Sequence, residues 1–310
     1  MSAPSRAQRK RLAYALLALL TVIWGSNWIA MKFALLNADP VTFNVHRTWV
    51  AIAVLFTALV WQRRRLWPDD WRAIIITGFF QITVNFGATT MALAGGGVGR
   101  TSVLVFTMPF WTLLIAWPVL HERVRGAQWL AVTSAFVGLV LVVQPWNWRE
   151  DLGPKLWAVL SGFGWAAGTV ANKYFQRRRD FDPLQFISWQ MLIGVLPLTL
   201  IDWLLPLAPT QWSMSQVALL IYVGAISTAA GFLLWLMVLR DLPAGTASLN
   251  MFAIPVIALV LSTIVFEERL APVEWWGIAA IALGLLIISV RALRSGPDEP
   301  LKPVPPLEGG

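Results

Sequence analysis

The run from Gly245 to Gly284 occurs twice in this chain. It reads as an apolar helix with Phe252 and Pro255, then Glu268-Arg269, Trp275 and a small-residue helix ending at Gly284. At an offset of 146 positions, without a gap, stand Phe106, Pro109, Glu122-Arg123, Trp129 and Gly138. The same offset carries Gly224 onto Gly78 and Met237 onto Met91. It shortens to 143 for Asp182-Pro183 against Asp39-Pro40, and to 141 for Trp165 and Lys173 against Trp24 and Lys32. A repeat of this size sets the architecture before any local pattern does: the chain is two copies of one unit.

The medium of that unit follows from composition. Hydrophobic residues make up 57% and charged ones 13%, where a soluble domain carries about 25% charged. Apolar runs of about 20 residues recur, long enough at 1.5 Å per residue to cross a hydrocarbon core of ~30 Å. The expectation is an all-α polytopic membrane protein, since a β-barrel would show short alternating segments instead. Ten spans are predicted, at 12–31, 41–61, 72–93, 100–119, 127–144, 155–174, 183–204, 214–238, 244–265 and 272–291. The organisation is then a tail (1–11), a five-helix repeat (12–144), a connecting loop (145–154), a second repeat (155–291) and a tail (292–310). Its five prolines make the last tail a candidate for disorder. The basic start imitates a signal peptide, but its apolar run continues to about Met31 and has an internal copy near 155–175, so it reads as the first span.

Five is odd, so the second copy enters the bilayer from the opposite side. Two such copies form an inverted repeat about a pseudo-two-fold axis in the membrane plane, a design suited to alternating access around a central site. With the N-terminus in the cytoplasm, 18 Lys and Arg fall on the cytoplasmic side and 6 on the other. Both termini are therefore expected in the cytoplasm. The net charge of +8 is read as topology, and no nucleic-acid partner is expected.

Several chemistries drop out. With no Cys, disulfides, Cys-ligated metals and thiol catalysis are excluded. The two histidines, His46 and His121, sit in no metal-ligand pattern, and no phosphate-binding GxxxxGK[ST] loop is present. The sequence points away from an enzyme, and no cofactor or metal is expected. No Asp or Glu falls deep in a predicted span, which disfavours a proton-coupled exporter of cationic drugs.

Polar groups within spans are the informative ones, because burying them unpaired is costly. On the third span Thr77, Gln81, Asn85 and Thr89 share one face at i, i+4, i+8 and i+12. They line a cavity or hydrogen-bond to neighbouring helices; Ser227, Gly231 and Trp235 occupy the matching face of the eighth span. Trp24, Asn27 and Met31 share a face of the first span, and Trp165, Gly168 and Asn172 a face of the sixth. Most of the 19 Trp read as interfacial belt. Trp24 and Trp165 fall mid-span, where an indole facing a cavity could stack on a substrate ring. Phe106 and Met108 are candidate apolar lining beside Pro109, and Asn250 stands where the first copy has Leu104.

Pro109 and Pro255 are predicted mid-span, each deleting a backbone hydrogen bond and bending its helix, so they are hinge candidates. Glu122 and Glu268 fall at span ends on opposite faces, as anchors of those ends or as opposite gates. Ala131, Ser134 and Gly138 on the fifth span match Gly277, Ala280 and Gly284 on the tenth. Such small faces let backbones approach closely, either to buttress the core or to form a homodimer contact.

Ten spans in two halves, Trp24-Gly25-Ser26-Asn27, and the duplicated Pro109…Glu122-Arg123 and Pro255…Glu268-Arg269 spacing resemble the EamA-type branch of the drug/metabolite transporter superfamily. The resemblance covers about residues 12–291. Within the branch the chain looks most like bacterial exporters of the YddG type, which handle aromatic amino acids. This implies an inner-membrane exporter with a cavity lined by the first, third, fourth, sixth, eighth and ninth spans. The expected substrates are aromatic and other neutral amino acids, bound at Trp24, Asn27, Gln81, Asn85, Phe106, Met108, Trp165, Asn172 and Asn250. The alternatives are an organic-anion or nucleotide-sugar carrier using Lys32, Arg47, Arg100 and Lys173, and a non-transporting scaffold or sensor.

Overall fold

The structure is a computed structural model that describes residues 6–121, 126–144, 146–147, 151–179, 181–241 and 253–294. Glu122, Arg123, Asn250 and the tail beyond Arg294 lie outside the described residues. Ten helices follow one another: α1 (Arg6–Ala34), α2 (Pro40–Trp61), α3 (Trp71–Gly95), α4 (Val98–Leu120), α5 (Ala127–Val143), α6 (Gly153–Gln176), α7 (Pro183–Leu204), α8 (214–241), α9 (described as Ala253–Val265) and α10 (Pro272–Arg294). Among the described residues, α1, α2, α3, α4, α7 and α8 are long and apolar enough to cross a membrane. Leu196, Leu200, Val256, Val260 and Leu283 are exposed. Such an apolar exterior is a liability in water and the natural surface in lipid.

The repeat is written into the helix starts. Asp39 caps α2, its Oδ1 accepting from Val41 N at 2.8 Å, with Pro40 in the first turn. Asp182 caps α7 in the same way, accepting from Leu184 N at 3.0 Å, followed by Pro183. An acidic cap followed by proline is a strong start signal, because the cap oxygen satisfies an orphan N–H and proline lacks one.

Both copies also widen one helix at the same place. In α3 the turns over Phe79–Val84 open to π geometry, and in α8 those over Tyr222–Ala230 do so. At the offset of 146 the second segment falls on residues 76–84. A π turn leaves a bulge that re-aims side chains and loosens carbonyls from their own helix, and it marks functional segments.

Pro109 acts differently from the expected mid-span bend. The fourth helix is interrupted at Phe106–Thr107, between segments Val98–Val105 and Met108–Leu120, and Pro109 lies in the first turn of the second segment. There its missing N–H costs nothing, so it starts a helix. Pro255 lies within the described part of α9.

The small faces of α5 and α10 are spent on each other. A Cβ on Gly138 would lie 2.5 Å from the Gly277 carbonyl, and one on Gly284 would lie 2.7 Å from that of Ala131. Ser134 Oγ adds a hydrogen bond to the Ala280 carbonyl at 2.8 Å. This pair stands at the side of the helices that enclose the central cavity.

Candidate functional site

Where the two copies meet, a cavity of about 110 Å3 is lined from α1, α2, α3, α4, α6, α8 and α9. Six of the nine residues expected to bind substrate are in its wall: Trp24, Asn27, Asn85, Phe106, Met108 and Trp165. They come from four helices and both repeats.

The aromatic side of the wall is one cluster. The rings of Trp24 and Trp165, equivalent in the two copies, meet edge-on with centroids 6.2 Å apart at 86°. Phe232 joins both, at 6.1 and 5.8 Å, and Phe86 packs on Phe232 at 5.9 Å. Edge-to-face packing suits the ring quadrupoles. Trp24 is fixed further by its Nε1–H, which donates to the Ser227 carbonyl at 3.0 Å. Ser227 lies within the π segment of α8, so the widened turn supplies the acceptor.

The polar positions divide. Asn85 reaches the cavity, and its Nδ2 also donates to Ser161 Oγ at 2.8 Å and to the Ser161 carbonyl at 3.0 Å. Thr89 shares that serine hydroxyl at 2.6 Å. Gln81 and Asn172 are not among the lining residues. Gln81 Oε1 accepts from Asn172 Nδ2 at 2.9 Å and from Gln190 Nε2 at 2.7 Å, and Gln81 Nε2 donates to Thr169 at 3.3 Å. These bonds knot α3, α6 and α7. The cause is Gly168, which leaves the room that the stem of Gln81 crosses: a Cβ there would overlap Gln81 Cγ. The i, i+4 pattern of α3 reported a buried polar face correctly, but one face divides between cavity and knot.

The charged wall residue is Arg47 on α2, 4% exposed. Its Nε donates to Asn44 Oδ1 at 2.7 Å and a terminal nitrogen reaches Met31 Sδ at 3.3 Å. The guanidinium lies 4.1 Å above the centre of the Phe86 ring, a cation–π contact. Of the other basic residues of the anion alternative, Lys32 and Arg100 are engaged elsewhere. Lys32 Nζ donates to the Leu93 and Gly96 carbonyls at 2.6 and 2.8 Å, and Arg100 pairs with Glu274 at 2.5 Å. Met31, Trp28, Val105, Thr228 and Ile254 complete the described lining.

One end of the two halves is tied by Glu268, beyond the end of α9. Its carboxylate accepts from the backbone N–H of Gly99 at 2.8 Å and of Arg100 at 3.1 Å, at the start of α4. A carboxylate there satisfies orphan N–H groups and faces the positive end of the helix dipole. The rings of Phe33 and Phe266 meet at a tilt of 44°, with centroids 5.0 Å apart.

Ten helices in two inverted copies around a shared cavity define a membrane transporter of small molecules. The chain belongs to the EamA-like transporter family, which it matches over residues 11–144 and 154–290, and so to the drug/metabolite transporter superfamily. It is 25% identical to the uncharacterized transporter YoaV of Bacillus subtilis (strain 168) over 275 residues, 87% of this chain and 91% of that one. It is 24% identical to a probable amino-acid metabolite efflux pump of Escherichia coli (strain K12) over 290 residues, 89% of this chain and 94% of the pump. A solved crystal structure, 16% identical, shares the fold with a TM-score of 0.64 over 93% of this chain and 99% of its own.

Proposed function

We propose that this protein exports neutral amino acids, aromatic ones included, across the cell inner membrane by alternating access, with both termini in the cytoplasm. One observation carries the reading: the cavity between the copies joins indole and phenyl faces to amide groups, and no Asp or Glu is among its described lining residues. Rings suit an apolar or aromatic side chain. Amides and the Arg47 cation suit a zwitterion, and a cationic drug would find no counter-charge among the described lining residues. The Escherichia coli relative described as a probable amino-acid metabolite efflux pump supports the same reading.

The site then consists of Trp24, Asn27, Asn85, Phe106, Met108 and Trp165, with Gln81 and Asn172 acting through the helix knot beneath it. Glu268 serves as the closed gate of one side. On the expected topology that side is extracytoplasmic, and Glu122 holds the equivalent place in the other copy. A nucleotide-sugar carrier fits less well, because a polyanion needs several converging cations. Counterflow in proteoliposomes with a panel of labelled amino acids, organic anions and nucleotide sugars tests this. Exchange of phenylalanine, leucine or alanine is the expected result. Exchange of nucleotide sugars alone, or of nothing in the panel, overturns it.

A further inference from the structure

We infer that Arg47 is the carboxylate receptor of the cavity, and that substrates are selected by their carboxylate, while the ammonium group meets neutral oxygens. The inference rests on the reading above, that the cavity between the copies is the substrate site.

The first argument is charge. Arg47 stands about 10 Å along α2, at 1.5 Å per residue from Pro40. A guanidinium stays protonated and carries five N–H donors. Its described partners are the Asn44 amide, the Met31 thioether and the Phe86 ring. None is an anion, and a thioether is a weak acceptor. A cation within a membrane span is expensive without a counter-charge and marks a function by default. The cavity is the space from which a counter-charge can come.

The second argument is the repeat. At the offset of 143 that aligns Asp182-Pro183 with Asp39-Pro40, Gln190 is the equivalent of Arg47. Gln190 is 2% exposed and donates to Gln81 at 2.7 Å. The fold therefore takes a neutral amide at this place. The cation in the first copy is not something the architecture demands.

The third is the neighbouring asparagine. Asn27 Nδ2 also donates to Met31 Sδ, at 3.2 Å, and Asn27 Oδ1 is buried with no hydrogen-bond partner. One thioether thus receives two donors, from Asn27 and Arg47. A carboxylate placed there takes both in charge-assisted bonds, with the planar fork of Arg47 matching its two oxygens. The orphaned Asn27 oxygen is an acceptor suited to an ammonium group. The side chain then extends towards the aromatic cluster.

The test begins with the unaltered protein, so that folding of a variant does not enter. In counterflow of labelled phenylalanine, competition by phenylalanine, phenylalaninamide and 3-phenylpropionate is compared. The amide keeps the ammonium and loses the carboxylate; the propionate does the opposite. The amide is expected to compete about tenfold or more weakly than phenylalanine, and the propionate to remain a competitor. Arg47→Gln, the residue of the second copy, should raise the half-saturation concentration about ten- to a hundredfold while preserving the preference among side chains, and Arg47→Lys should recover part of the loss. Equal competition by the amide, or an unchanged half-saturation in Arg47→Gln, overturns the inference while leaving amino-acid export intact. If the unaltered protein exchanges no amino acid, the export reading fails by itself. Calorimetric binding of 3-phenylpropionate against phenylalaninamide then decides on Arg47: preference for the acid supports it, and parity or preference for the amide overturns it.

Discussion

The Nε1–H of Trp24 donates to the carbonyl of Ser227 at 3.0 Å, and this bond joins the first helix of one copy to the π segment of the other. Gly231, one turn further along α8, makes it possible, because a Cβ there would lie 2.5 Å from the same nitrogen. The indole therefore turns its N–H edge to the backbone of α8 and meets Trp165 nearly at a right angle. In the first copy the place of Gly231 belongs to Asn85, at the offset of 146, and that residue bonds Ser161 instead. The two halves share a path and differ in what they put on it, which gives a symmetric scaffold an asymmetric cavity.

Gly231→Ala should accordingly push the Trp24 ring off its acceptor. Uptake competition is expected to show weakened aromatic substrates and little change for alanine. Trp24→Phe, which keeps a ring but loses the donor, should reproduce the effect. An unaltered profile in both variants, at normal protein density, would remove Trp24 from the substrate wall.

Trp165→Ala removes the other half of the edge-on pair. A lost aromatic contact is worth ~0.5–1.5 kcal/mol beyond its buried area, up to roughly tenfold in affinity. Phenylalanine and tryptophan should lose several-fold against alanine in the same competition assay. A uniform loss across all substrates would indicate that the ring supports the helices and not the ligand.

Much of this was legible in the sequence because duplication is a strong signal. Inverted five-helix copies, the mid-span placement of Trp24 and Trp165, and the small faces of α5 and α10 all followed from matched positions. What local pattern could not resolve was the direction of individual side chains. Gln81 shares a face with Asn85, and Asn172 one with Trp165, yet Gly168 lets Gln81 cross to α7 and form the knot with Gln190. Arg47 was visible only as a member of a basic set, since its burial depends on Met31, Asn44 and Phe86 from three helices. The offset of 143 was the missed signal, because it aligns Arg47 with an uncharged residue. Pro109 stands mid-span as expected, but the break lies at Phe106–Thr107, so the proline opens the second segment of α4.

Gly138→Leu and Gly284→Leu should act on stability alone. Gly138 sits against the Gly277 carbonyl, so a leucine there must force α5 and α10 apart. Lower thermal stability in detergent is expected, together with an unchanged ranking of competitors. A changed ranking at normal expression would mean that this helix pair shapes the cavity.

The Glu268 contact tests the cycle itself. Its carboxylate accepts two N–H groups at the start of α4, and in the proposed alternating-access cycle releasing them parts the copies at this end. Gln in place of Glu268 removes the charge that favours the helix start and leaves one oxygen to accept; Ala removes both bonds. The chain contains no Cys, so a single Cys at Ser102, fully buried on α4 below the contact, reports opening without background. Glu268→Ala should speed labelling of that Cys by a membrane-impermeant maleimide several-fold, with Glu268→Gln intermediate. On the expected topology this acceleration appears when the reagent is added from the extracytoplasmic side. A Cys in the loop of Glu122 should be labelled from the opposite side only. Acceleration from the cytoplasmic side would reverse the orientation of the chain, and no acceleration from either side would reduce Glu268 to an anchor of its helix end.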